Sequence, residues 1–387
     1  MRRAYRIALR LVAALLLVLL ALGQWKREEL TRLLAVNSLF DADRIVANFS
    51  HMDAAFLTTP LPRGDGEVTP LPQGAEMALP PEAAAWIADR RVTSLLVLKG
   101  GEIRHESYHL GTNAQDRRIS WSMAKSYLSV LFGILLEEGA IDSLDDPVVK
   151  YVPSLAQSAY APASLRNVLN MASGVKFDED YLDPGSDINR MGREIALGGT
   201  LDGFTAALTE TIAIAGSRWT YVSMDTHVLG MVIRGATGRS VPELMQEKVI
   251  ARLGQESDGY YLTDGTGTAF VLGGLNLTSR DYARFALMVA QEGEIAGRRI
   301  VSEDWLRQST EASAPTEAGK MGYGFQWWRA RDPRPGEVIA QGVYGQFLYI
   351  DQIRDIVIVM TAADRKFRET GQTRANIDMF RLISDAL

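Results

Sequence analysis

The chain has 387 residues, 41 basic against 47 acidic side chains, and a net charge of −6. With 47% hydrophobic residues the composition is that of a folded globular protein, and with this acidic balance nothing points to a nucleic-acid partner, so none is expected. There is no cysteine, which removes disulfides, zinc–thiolate sites, a thiol nucleophile and thiol lipidation together.

The N-terminus comes first. Arg2, Arg3, Arg6 and Arg10 lead into an apolar run, Leu11 to Leu22, followed by Gln24, Lys26 and Arg27. This is a charged region before a hydrophobic stretch of signal-peptide length, with Ala21 and Gly23 as small residues at a cleavage point. Extended back to Ile7, the run nearly reaches the ~20 residues that span a bilayer. A cleaved signal and a retained anchor both fit. The anchor is preferred, because the flank is not a clean A-x-A site. Either reading puts the body of the chain on the extracytoplasmic, periplasmic side.

Residues 1–24 are therefore expected as signal or anchor. Residues 25–80 read as an extension, proline- and glycine-rich from Leu57 to Pro81 and so expected on the surface. Regular structure is expected from residue 81. Pro81 to Arg91 reads as a helix, Thr93 to Leu98 as a strand, Lys99-Gly100-Gly101 as a turn and Glu102 to His109 as the partner strand. In the partner strand Ile103, His105 and Tyr108 alternate imperfectly. Ser122 to Glu138 reads as a helix stopped by Gly139. Further helices are expected at 226–235, 241–253 and 280–293, the last capped by Thr278 or Ser279. Strands follow at 323–328, 338–340, 346–350 and 356–362, and a helix closes the chain from Asn376. Strands at both ends imply a sheet region, 81–135 with 270–387, interrupted by a helical insertion at 136–269.

Chemistry concentrates at Ser122-Met123-Ala124-Lys125. The helix that follows is apolar on nearly every face, so it is expected to be buried. Lys125 lies one turn after Ser122 and shares its face. A buried, unpaired ammonium is costly, and desolvation moves a lysine from ~10.4 toward neutrality, where it can act as a base. The plain alternative is a serine N-cap followed by a solvated lysine. A second group is Trp219-Thr220-Tyr221-Val222-Ser223, where Tyr221 and Ser223 point the same way in extended chain. A third, Gln341-Gly342-Val343-Tyr344-Gly345-Gln346, sets glycines at a strand start, where backbone can approach a ligand. A surface tyrosine and a plain turn are the bland readings of these two.

Taken in order, these residues resemble the serine β-lactamase and penicillin-binding-protein superfamily, whose blocks run S-x-x-K, Y-x-N, K-T-G. The segments Glu138 to Pro147, Leu272 to Arg284 and Tyr323 to Trp328 resemble the surrounding text. Within that superfamily the chain is most similar to the class C-like branch of 6-aminohexanoate-dimer hydrolases and related esterases. The resemblance implies a five-stranded antiparallel sheet flanked by helices, with a mainly helical region over residues 81–387. It implies Ser122, Lys125 and Tyr221 as catalytic residues. It implies Ser223, Tyr181, Tyr344, Gly345 and Gln346 around substrate and oxyanion, the oxyanion held by backbone N–H groups of Ser122 and of the strand near Gln346. The third block lacks its lysine, so the cation that meets a β-lactam or peptide carboxylate is missing. A small ester or linear amide is the expected substrate, with no cofactor and no metal. The rival readings are a penicillin-binding, D-Ala-peptide-recognising protein with weak or no turnover, and a metal site on His105, Glu106 and His109.

Overall fold

The computed structural model describes residues 2–387. The main sheet is built from strands at both ends of the chain: β1 (Val92–Lys99), β2 (Glu102–Tyr108), β3 (Gly322–Tyr323), β4 (Trp328–Arg329), β5 (Glu337–Gly342), β6 (Gln346–Asp351) and β7 (Ile356–Ala362). Their order is β2-β1-β7-β6-β5-β4-β3, antiparallel throughout. Five long strands form the expected sheet, and two two-residue strands extend it. The stretch 323–328 is not one strand, because Gln326 turns the chain with φ of +67° and splits it into β3 and β4.

Both faces of this sheet are covered, which is why its inner strands carry apolar residues without alternation. Leu96, Leu98, Leu348, Val357 and Val359 pack toward the helices Ala124–Glu137 and Ser279–Ala290. Leu95, Val97, Tyr349, Ile356 and Ile358 pack toward Trp86 of Ala83–Asp89 and Phe380 of Gln372–Asp385. Burial at about 25 cal/mol per Å² across both faces makes this the main stabilising layer. The uneven pattern in β2 has a cause: the β1–β2 pairing slips between Val97 and Leu98, opposite His105 and Ile103.

The helix Ala124–Glu137 is buried from Ala124 through Leu135. Gly133 lets Trp305 lie against it, since a Cβ there would meet the indole at 2.3 Å. The expected 241–253 helix is present as Val241–Met245 and Ala251–Leu253, joined by a π-helical turn at Gln246–Ile250. Thr278 caps Ser279–Ala290, accepting from the Asp281 N–H. Tyr221 lies just before the helix Ser223–Thr237, which ends at Gly238 with φ of +67°.

The segment expected as an extension carries regular structure. Leu57–Leu61 is the edge strand of a four-stranded sheet with Gly259–Thr263, Leu275–Leu277 and Arg118–Ile119. Pro60 is tolerated there because an edge strand has one unpaired side. Ile45, Phe49 and Met52 are buried, at helical spacing that a count of prolines and glycines hides. At the N-terminus one helix, Arg2–Trp25, contains a 21-residue span of mean hydropathy 2.3, Tyr5–Trp25, with no buried share, and Arg27–Asn37 follows it.

Candidate active site

Ser122 does not start the α-helix. It sits in a 3-10 turn, Trp121–Met123, just before it. Trp121 takes φ of +42°, a conformation that costs a non-glycine residue about 1–3 kcal/mol. Phe40, Phe49 and Tyr344 hold its ring, with centroids 5.9, 5.5 and 6.3 Å away. Ser122 is therefore presented, half-buried, on a sharp turn fixed by aromatic packing.

Lys125 is 1% exposed. Its Nζ donates to the Leu272 carbonyl at 2.7 Å and to Ser223 Oγ at 3.4 Å, and lies 5.6 Å from the Tyr221 ring centroid. Burial brings its pKa down to about 7, against the opposing pull of Glu179 and Asp225. Tyr221 stacks on Trp328 at 5.5 Å and 20° and lines the same cleft as Ser122. Burial, then the Glu179 carboxylate, push the Tyr221 phenol well up. The structure thus brings Ser122, Lys125, Tyr221 and Ser223 together.

Glu179 joins them, a residue that the sequence motifs do not mark. Its carboxylate accepts from the Ser223 N–H and from the Tyr181 hydroxyl, the latter at 2.7 Å. Burial pushes its pKa up, and Lys125, Tyr181 and Ser223 pull against that. Behind it Asp225 accepts from Tyr160 at 2.9 Å and Ser173 at 2.8 Å, and burial carries its carboxyl up to about 7.

The third block is shifted in register from the expectation. A Cβ on Gly342 would stand 2.6 Å from the Ser120 carbonyl and 3.0 Å from the Ser122 nitrogen. The end of β5 therefore lies against the serine turn, and only glycine permits it. Gln341, Gly342, Val343 and Gly345 line the cleft beside Ser122. Tyr344 and Gln346 do not. Tyr344 turns away and stacks on Phe40 at 4.8 Å, while the Gln346 amide is used up on Ala362, donating to its carbonyl at 2.9 Å and accepting from its N–H at 3.2 Å.

Two arms of the cleft meet at Ser122. A smaller one, 210 Å³, is lined by Tyr221, Trp328, Gln341 and Phe367. A larger one, 290 Å³, is lined by Leu39, Phe40, Ile188, Met191, Phe270 and Val343 among others, and Tyr181 borders both. The His105–Glu106–His109 group is occupied otherwise. Glu106 pairs with Arg280 at 2.8 Å and accepts from Tyr108 at 2.6 Å, while His105 and His109 share the Ser107 hydroxyl. Among the described residues no group of three acidic or histidine side chains is placed to hold a metal ion.

Comparison with known proteins gives the family of this fold. The family model described as Beta-lactamase matches residues 83–378. The 6-aminohexanoate-dimer hydrolase of Paenarthrobacter ureafaciens is 32% identical over 327 residues, 81% of each chain. A Bacillus anthracis structure assigned as a 6-aminohexanoate-dimer hydrolase superposes with a TM-score of 0.79 at 23% identity, covering 89% of this chain and 95% of that one. A D-stereospecific amidohydrolase from Streptomyces sp. gives a TM-score of 0.58 at 19% identity, covering 76% and 99%. The protein belongs to the β-lactamase family and is a serine hydrolase of its esterase and amidase kind.

Proposed function

We propose that the chain hydrolyses an ester or linear amide through an acyl-enzyme on Ser122. The observation that carries this is Lys125, a buried amine with pKa of about 7 and no ion-paired carboxylate among the described residues, one helical turn from Ser122. A neutral amine at that place is a base matched to neutral pH.

In the first step Lys125 takes the Ser122 proton as Oγ bonds to the substrate carbonyl carbon. The backbone N–H groups of Ser122 and Val343, neighbours through the close approach of Gly342 to the Ser122 nitrogen, are the proposed donors to the developing oxyanion. The bond to the leaving group then breaks. Tyr221, kept protonated by burial and by Glu179, gives its proton to the leaving oxygen or nitrogen, and the Lys125 ammonium restores it. A phenolate at Tyr221 is disfavoured on the same ground. Water then attacks the acyl carbon, its proton passes to Lys125, and Ser122 leaves as the alcohol. The 6-aminohexanoate dimer named for the Paenarthrobacter relative is one linear amide to try.

The body of the chain is proposed to lie outside the cytoplasmic membrane, held by Tyr5–Trp25 with the arginines before it on the inner side. Labelling with a fluorophosphonate probe tests the chemistry. It should be lost in Ser122→Ala; undiminished labelling there refutes the assignment.

A further inference from the structure

The large arm of the cleft is made for an apolar group. Leu39, Phe40, Phe56, Ile188, Met191 and Phe270 line it, and Arg193 is its single charged side chain among the described residues. It holds no carboxylate, so a substrate bearing a free ammonium finds no counter-charge there. A carbonyl seated at Ser122 must send its acyl part and its leaving group in different directions, and the smaller arm, with Tyr221, is where the leaving group would receive its proton.

The origin of that apolar wall is the second observation. Val36, Asn37, Leu39 and Phe40 come directly from the end of Arg27–Asn37, the helix that follows the Tyr5–Trp25 span. This connecting helix packs on Asp187–Ala196, which supplies Ile188, Met191 and Ile195 to the same arm. Eleven residues of helix are about 16 Å long, so the near wall of the arm, which starts at Val36, stands about that far from the end of the span. Large aliphatic side chains are exposed there as well, beside the charged residues of the connecting helix. Leu182 lines the arm yet is 67% exposed, and Leu34 on the connecting helix is 70% exposed. Large aliphatic side chains at a cleft mouth next to a membrane-length helix suit contact with lipid better than with water.

Resting on the hydrolase reading above, we propose that the substrate is an amphiphile with a medium or long acyl chain, taken up at the membrane surface, the chain filling the large arm while its carbonyl meets Ser122. Each methylene buried should raise kcat/KM about fourfold until the arm is full.

The test uses the full chain reconstituted in phosphatidylcholine vesicles, with p-nitrophenyl acetate, octanoate and laurate as probes. The octanoate-to-acetate ratio of kcat/KM is expected to exceed about a hundred. Met191→Trp, which fills the arm, should lower that ratio at least tenfold; if this variant does not fold, the wild-type series decides by itself. The same series in detergent micelles separates uptake from a bilayer from recognition of the chain: an equal ratio and equal rates in both overturn the membrane part. Acetate turned over with a flat or falling series overturns the acyl-chain inference and leaves the hydrolase standing. No turnover of any ester, with no fluorophosphonate labelling of Ser122, overturns both.

Discussion

Replacing Lys125 with methionine should make the protein more stable while abolishing activity. In the unfolded chain the amine holds its proton up to about 10.5, whereas in the folded protein it lets go at about 7. Between these values the unfolded state binds more protons, so folding in that window expels protons, about half of one on average at pH 7. The cost is about 1.4 kcal/mol for every tenfold difference in proton affinity between the two states. That is about 4 kcal/mol against folding at pH 7. Methionine keeps the stem and removes the charge. Against this, the Leu272 carbonyl loses its 2.7 Å donor, worth about 1 kcal/mol. The net expectation is a gain of about 3 kcal/mol, or about 4 °C in melting temperature for a chain of this length. The sign of the pH dependence is fixed by the depressed pKa. The advantage of Lys125→Met should be greatest at and below pH 7, shrink as pH rises, and reverse near pH 10, where the cost falls to about 1 kcal/mol, that of the lost hydrogen bond, because the wild type alone gains stability over that window. Urea denaturation of both proteins in detergent at pH 6, 7, 8 and 9 measures the difference directly. A variant less stable than wild type at every pH would mean the ammonium is comfortably accommodated, and the reasoning that makes Lys125 a base would fail.

Three other outcomes follow from the same geometry. Glu179→Gln removes a charge that raises the Lys125 pKa, so the acid limb of kcat/KM should move to lower pH; a limb unmoved or moved upward in the pH–rate profile refutes it. Tyr221→Phe keeps the ring stacked on Trp328 and should lower kcat about 10²- to 10³-fold with an unchanged melting temperature; near-normal single-turnover acylation would remove Tyr221 from proton transfer. Gly342→Ala must push β5 away from the Ser120 carbonyl and the Ser122 nitrogen, costing about 1–3 kcal/mol of stability and most of the acylation rate; an active, equally stable variant would show that the close approach is unimportant.

Much of this site is legible in the chain because its signals are local. The S-x-x-K spacing, the helix apolar all round and the apolar run of β7 each follow from a few consecutive residues. The rest depends on tertiary placement. Glu179 is one of several acids between Asp178 and Asp187, and nothing local separates it from Asp180, which pairs with Arg368 near the surface. In the third block two glycines stand three residues apart. Matching the pattern on Gly345 puts the expected contacts at Tyr344 and Gln346, whereas only Gly342 is pressed against the serine turn. The prolines and glycines of segment 25–80 mark a connector. Its apolar residues at helical spacing carry the opposite message, and Leu39 and Phe40 end up as a wall of the cleft.

The distance kept between Lys125 and its nearest carboxylates is what reconciles a buried amine with a useful base. A glutamate in direct contact would hold the ammonium, raise its pKa and silence it at neutral pH. A site with no carboxylate at all would leave the ammonium formed during acylation without a counter-charge in a dry interior. Here Glu179 is held back by the Ser223 N–H and the Tyr181 hydroxyl, and Asp225 by Tyr160 and Ser173, so each acts on Lys125 through space. Burial then outweighs their attraction in the resting state and brings the amine to about 7. In the proposed mechanism the same two carboxylates, when ionised, would stabilise the transient ammonium. Tyr181 and Ser223 therefore matter for where they hold Glu179 as much as for any contact with substrate, and Tyr181→Phe, which frees one carboxylate oxygen to swing toward Lys125, should raise the pH at which activity appears.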